Sequence, residues 1–190
     1  MRRLWETTNN ASIRCKYPMR LDFKFDDRLF QRGQMWRECV EEWLAHRNAF
    51  LQSVQEPPLL EKTLKTLNQQ PLRRYAIVYS TNSLDSLLSL PFVGSTFHTA
   101  KNAVTRFFCH EHFFPLFAES LERGLPRILV LDRNGSVKPV WGPRPLPVTR
   151  HLGEAMNSGV TQDRALTDYA RNHYPLVLDQ SISAALKDAL

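Results

Sequence analysis

The chain has 190 residues, of which 43% are hydrophobic and 23% charged, and its 7 Gly and 12 Pro are too few for a low-complexity or disordered polypeptide. Lys plus Arg (25) exceed Asp plus Glu (19), a net charge of +6 that is too dilute over this length to mark a nucleic-acid binder. No run of about 18 apolar residues is present to cross a membrane, and Cys15, Cys39 and Cys109, at spacings of 24 and 70, exclude a disulfide framework, a CxxC motif and paired zinc knuckles.

The first 20 residues hold Arg2, Arg3, Arg14, Lys16 and Arg20 against Glu6, and read as a solvated basic arm. The start is basic like a signal peptide but turns polar from Glu6 to Asn10, where an apolar stretch would be needed, so the expected setting is cytoplasmic and reducing. From Asp27 to Val54 the residues Leu29, Trp36, Val40, Trp43, Leu44, Phe50, Leu51 and Val54 recur mostly every three or four positions. That spacing predicts one long amphipathic helix, which Gly33 can interrupt, with Trp36 and Trp43 as core residues. Pro57-Pro58 stops it, and Leu60, Leu64 and Leu67 predict a short second helix ending near Asn68.

From Pro71 the texture changes. Tyr75 to Tyr79 predicts a buried strand, Ser80 to Ser83 a polar turn, and Leu84 to about Val93 a helix containing Pro91. Ala103 to Cys109 predicts a second strand, Phe113 to Glu122 a helix, and Arg127 to Leu131 a third strand. Asp132-Arg133-Asn134-Gly135 reads as a hairpin turn, because Asn-Gly tolerates positive φ, and Val137 to Trp141 as the returning strand. Leu146 to Met156 can be helical, as can Arg164 to His173 and Ser181 to Leu190, with Pro175 between these last two. The order β-α-β-α-β-β-α requires an α/β fold with a mixed four-stranded sheet, parallel in one half and a hairpin in the other.

Ser80-Thr81-Asn82-Ser83-Leu84-Asp85 with Leu90-Pro91, then Leu125-Pro126-Arg127 leading a strand, then Trp141-Gly142-Pro143-Arg144-Pro145, resemble three segments of a bacterial thioredoxin-like family that carries a single active-site cysteine. The Trp-Gly-Pro-Arg-Pro run is the most specific of the three, and Asp168-Tyr169 with Ser183 to Leu186 is loosely similar to that family's closing helices. The resemblance covers about residues 75 to 152. It implies a thioredoxin-like core over residues 72–156, a helical extension over 1–71, a helical tail over 157–190 packed on the core, and a cis Leu125-Pro126 bond. Pro91 and Pro126 follow Ser83 by 8 and 43 residues, near the thioredoxin spacings of nucleophile, kink proline and cis-proline. In that register Ser83 occupies the position of the nucleophilic cysteine and Ser86 the second position of a CxxC, while Asn82 replaces the preceding aromatic residue.

A cysteine at a helix start becomes a thiolate because the unpaired N–H groups and the macrodipole stabilise negative charge. Serine cannot form a disulfide, so Ser83 cannot run thiol–disulfide exchange. Ser83 reads as the helix cap, bonded to a backbone N–H near Ser86 or Asp85; as a nucleophile it would need a base, and Asp85 is the only ionisable residue in the motif, with the reach of His98 and His151 open. His110 and His112 would face the same way on an extended segment after Cys109, but neither HExxH nor a zinc spacing is present, so Cys109 reads as a core residue and no metal or cofactor is expected. Arg144 offers a fork of donors to a carboxylate or phosphate, or pairs with Asp85 or Asp132.

The expected function is a redox-inactive thioredoxin-like protein that binds through the groove of Asn82, Ser83, Leu84, Asp85, Leu125, Pro126, Trp141, Gly142 and Arg144. Its partner would be a protein, a peptide or a small anionic ligand. The alternatives are a thiol-dependent oxidoreductase or transferase using Cys109 or an external thiol and, more weakly, a nucleic-acid-associated protein using the basic arm.

Overall fold

In a computed structural model the described residues are 25–46, 58–113 and 124–189. The basic arm, Cys15, the C-terminal part of the first predicted helix and the helix expected from Phe113 to Glu122 lie outside them, and the side chain of Trp43 is likewise not described.

Four strands, β1 (Arg73–Tyr79), β2 (Ala103–Cys109), β3 (Arg127–Leu131) and β4 (Val137–Trp141), form one sheet in the order β2-β1-β3-β4. β1 runs parallel to β2 and antiparallel to β3, which pairs antiparallel with β4. The long connection from β1 to β2 carries a helix, as a parallel pair requires. This mixed four-stranded sheet flanked by helices is the α/β arrangement expected from the sequence.

The alternation along β1 divides the protein into two cores. Tyr75, Ile77 and Tyr79 face one side, packing with Phe97, Val148, Leu152, Leu178 and Ile182 in the major cluster. Ala76 and Val78 face the other, with Phe25, Phe30, Phe108, Leu129 and Leu131.

The first predicted helix is two helices, α1 (Asp27–Gln31) and α2 (Trp36–His46). A Cβ on Gly33 would lie 2.5 Å from the Phe108 ring, so glycine lets the chain come close to β2. Gln34 then exchanges both backbone hydrogen bonds with Phe107, at 2.8 and 3.0 Å, and covers the β2 edge that would otherwise be unpaired. The tertiary pairing at Gln34 overrides the helical period. Trp36 packs on Phe107, with ring centroids 5.2 Å apart.

α3 (Glu61–Gln69) is tied to the far end of the chain. The N–H groups of Lys62 and Thr63, otherwise orphaned at its first turn, donate to the buried Asp179 carboxylate at 3.0 and 2.8 Å. Thr66 bonds Ser183 at 2.9 Å, so the helical extension and the tail pack together.

α4 (Leu84–Thr99) runs past Val93 and through Pro91, longer than expected. The tail is α6 (Gln162–Ala189), one helix instead of the expected pair, following α5 (Leu146–Asn157). Pro175 removes one helical hydrogen bond, but Leu166, Tyr174, Leu178, Ile182 and Leu186 lie on one buried stripe on both sides of it. Burial of that stripe outweighs the roughly 3 kcal/mol cost of an interior proline. The β3–β4 turn is closed by the Gly135 N–H on the Asp132 carbonyl at 3.2 Å, with Gly135 at φ 77° and the Asp132 side chain accepting from the N–H groups of Asn134 and Ser136, both at 2.8 Å.

Candidate functional site

The ends of β1, β2 and β4 and the start of β3 bring the sequence-predicted residues to one edge of the sheet. Ser83 is the N-cap of α4. Its hydroxyl accepts from the Ser86 N–H at 3.3 Å, as a cap is expected to do, and donates to the Leu125 carbonyl at 3.1 Å. The Ser83 side chain is thereby bonded directly to the residue before Pro126, and the Leu125-Pro126 peptide is cis. Ser86 is fully buried, and its hydroxyl accepts from the Ser80 N–H at 3.2 Å.

No base serves Ser83 among the described residues. His98 lies fifteen residues along α4, about 22 Å at helical rise. His151 packs tilted at 46° against Tyr169, with ring centroids 5.0 Å apart, and neither hydrogen bond of the Ser83 hydroxyl goes to it. Asp85 pairs instead with Arg144. Burial pushes the Asp85 carboxyl up to about 6, with the Arg144 guanidinium opposing the rise. Of the two roles open to Arg144, the structure shows the ion pair, and its positive charge is compensated from within the fold.

The Trp141 to Pro145 turn is shaped around Pro126. Gly142 has φ 122°, and a Cβ there would lie 2.0 Å from the Pro126 carbonyl oxygen, so only glycine fits. The Gly142-Pro143 peptide is also cis. Arg127, which sequence reasoning treated only as the start of a strand, binds this turn: its Nη1 donates to the Gly142 carbonyl at 2.8 Å and its Nε to the Gly124 carbonyl at 3.0 Å. An arginine leading an otherwise apolar strand, Arg127 to Leu131, was the available signal. Trp141 does not line the groove. It is buried against the tail, and its Nε1 donates to Ser181 at 2.8 Å. Around Pro126, Asn82, Ser83, Leu84, Gly142, Pro143 and Arg144 are at least partly exposed, whereas Asp85, Leu125 and Pro126 itself are buried.

Beside this groove the end of β2 forms a second polar centre. Residues 110–112 turn back instead of extending, with the His112 N–H donating to the Cys109 carbonyl at 3.1 Å, so His110 and His112 do not share a strand face. The Cys109 thiol donates to Glu111 at 3.0 Å. Burial and the neighbouring Glu111 and Glu42 carboxylates push that thiol well above its ordinary range. Burial also works against the Glu111 carboxylate, but hydrogen bonds from Ser80 and Cys109 outweigh it and hold the group down to about 2. Glu111 accepts from Ser80 and Asn82 as well, which links the centre to the loop ahead of α4. Glu42 on α2 accepts from Gln34 Nε2 at 2.7 Å and from the Tyr79 hydroxyl at 3.1 Å. Sequence reasoning missed Glu42, which stands 67 residues before Cys109.

No protein-family model and no curated protein matches the chain. Two solved structures are similar in shape, each at 16% identity over 90% of this chain and 96% of theirs: a protein of unknown function from Pseudomonas aeruginosa, with a TM-score of 0.48, and an HIV epitope scaffold, with a TM-score of 0.49.

Proposed function

We propose that this is a thioredoxin-like protein without thiol–disulfide exchange that acts as a binding or accessory protein through the groove around Ser83 and Pro126. One observation carries the reading: the side chain at the nucleophile position is a serine whose hydroxyl is engaged on both sides, by the Ser86 N–H and the Leu125 carbonyl, with no base at hand. The groove keeps a helix start and a rigid turn but lacks a reacting atom. Pairing of Arg144 with Asp85 favours an extended peptide over a free anion as the occupant, since no uncompensated charge is offered to an anion.

The rival thiol-dependent enzyme is disfavoured by the state of Cys109, which is buried and held as a thiol by two carboxylates. Cys39 is fully buried as well, and burial pushes its thiol up to about 12.

Two measurements test the proposal. The purified protein is expected not to reduce insulin disulfides, and reduction at the rate of a dithiol thioredoxin would overturn it. In a Cys15→Ser variant at pH 7, thiol-specific reagents are expected to label the native protein far more slowly than they label free glutathione; fast labelling at Cys109 would favour the enzyme.

A further inference from the structure

The second polar centre combines side chains from two parts of the chain that no local motif connects. Cys109 closes β2, His112 follows in the turn, and Glu42 comes from α2; one donor atom of each lies within 4.8 Å of the other two. From these three donors we infer that the end of β2 is a binding site for a divalent cation of the zinc class, ligated by the Cys109 sulfur, the His112 imidazole and the Glu42 carboxylate.

The donor set selects the metal. Thiolate with imidazole suits zinc, whereas magnesium and calcium take oxygen ligands almost exclusively. Zinc bonds of 2.0–2.3 Å place neighbouring tetrahedral ligands about 3.3–3.8 Å apart. His112 Nε2 and Glu42 Oε1 are already 3.8 Å apart, and closing the remaining separations takes about 1 Å of side-chain movement. His112 can supply that movement, since its side chain is 60% exposed in a turn, and the same exposure gives the ion its way in.

The surroundings suit a metal ligand. Glu42 is oriented by Gln34 and Tyr79, as ligating carboxylates commonly are by an outer layer of hydrogen bonds. Glu111 stands against the Cys109 sulfur, with its other oxygen held by Ser80 and Asn82. Three protein ligands leave the fourth tetrahedral position for water. On binding, the Cys109 S–H bond breaks, a metal–sulfur bond forms, and the proton now shared with Glu111 passes to the buffer; no electron is transferred. The ion would fasten α2 to the end of β2, next to the loop that starts the groove. The inference is independent of what the groove binds.

Cobalt(II) is the probe. The full-length chain, without a histidine tag and stripped with chelator, is titrated with cobalt chloride and followed by absorbance. The expected result is a near-ultraviolet thiolate-to-cobalt charge-transfer band that saturates at one ion per chain and is bleached by zinc. Cys109→Ser is expected to abolish the band. His112→Ala, a change at an exposed side chain whose folding circular dichroism can verify, is expected to weaken cobalt binding at least about tenfold, and Gln34→Ala about 10–100-fold. Absence of the band with about a tenfold excess of cobalt would overturn the site. So would a band unchanged in His112→Ala, which would show that the imidazole is not a ligand, or one unchanged in Cys109→Ser, which would place the ion at another cysteine.

Discussion

The two parallel strands β1 and β2 end side by side, and the segments that follow them differ in kind. After β1 the chain enters a loop and the start of α4, where three serine hydroxyls are satisfied within the fold, Ser80 by Glu111, Ser83 by Ser86 and Leu125, and Ser86 by Ser80. After β2 it enters a turn in which a thiol, an imidazole and two carboxylates converge. Glu111, bonded to Ser80 and Asn82 on one side and Cys109 on the other, joins them. The region that reads as an active site in the sequence is closed by its own hydrogen bonds, and the region that reads as ordinary core gathers a thiol, an imidazole and two carboxylates. Motif spacing reports the backbone path, whereas reactivity depends on which groups remain to act from that path.

Gly142→Ala is the harshest test of the serine side. The added methyl would sit 2.0 Å from the Pro126 carbonyl at a φ of 122°, so both the clash and the strain must be relieved by displacing the turn. The expected loss is more than about 3 kcal/mol of unfolding free energy, read from the denaturant midpoint. Gly153→Ala, at a helical glycine whose Cβ would meet nothing within 4 Å, is the matched control, with an expected gain of about 0.5–1 kcal/mol. Equal effects at the two glycines would mean that the turn is not pressed against Pro126 in solution.

The contrast also marks what could be read without a structure. β2, β3, β4 and the cap at Ser83 follow from periodicity and motif spacing, because each depends on residues near in sequence. Gly33 was legible as a residue that can interrupt the first helix, but not that it does, since the division depends on the approach to Phe108, 75 residues later. The continuity of α6 through Pro175 was hidden for the same reason: the buried stripe that holds it is defined by partners elsewhere in the fold. At the candidate site the nearness of Ser83 to Leu125 follows from the motif spacing, whereas the burial of Trp141 did not, and the pairing of Arg144 with Asp85 rested on a choice between partners that only geometry makes. Glu42 was invisible because no spacing rule connects α2 to the end of β2.

The Asp85–Arg144 pair gives a smaller, pH-dependent test. The Asp85 carboxyl is raised from 3.8 to about 6 in the fold, so its contribution to stability is complete below about pH 4 and is lost as pH rises to about 6. Within that window the native protein is expected to lose about 1.4 kcal/mol per pH unit relative to Asp85→Asn, measured by urea unfolding at each pH. Arg144→Ala removes the group that opposes the rise, extends the loss to higher pH, and is expected to cost about 2 kcal/mol at pH 7. Combining it with Asp85→Asn is expected to restore most of that loss, because the buried charge is gone. Additive losses in the double variant would show that Arg144 acts through packing instead of charge.

Ser83→Ala is expected to have the smallest effect of these destabilising changes, and it addresses the contrast most directly. The substitution leaves the Ser86 N–H without its acceptor and the Leu125 carbonyl without its donor. Loss of a helix cap commonly costs about 1 kcal/mol, and an unmet buried carbonyl can add as much. Ser83 is only half-buried, so water can reach both groups and hold the total near the lower figure, about 1 kcal/mol by chemical denaturation. No loss at all would mean that the hydroxyl is free in solution, and the serine side would then hold an unengaged hydroxyl at the start of α4 after all. A loss of about 1 kcal/mol, together with unchanged cobalt binding at the end of β2, would keep the two regions as they are described: one closed by its own hydrogen bonds, the other able to take up an ion.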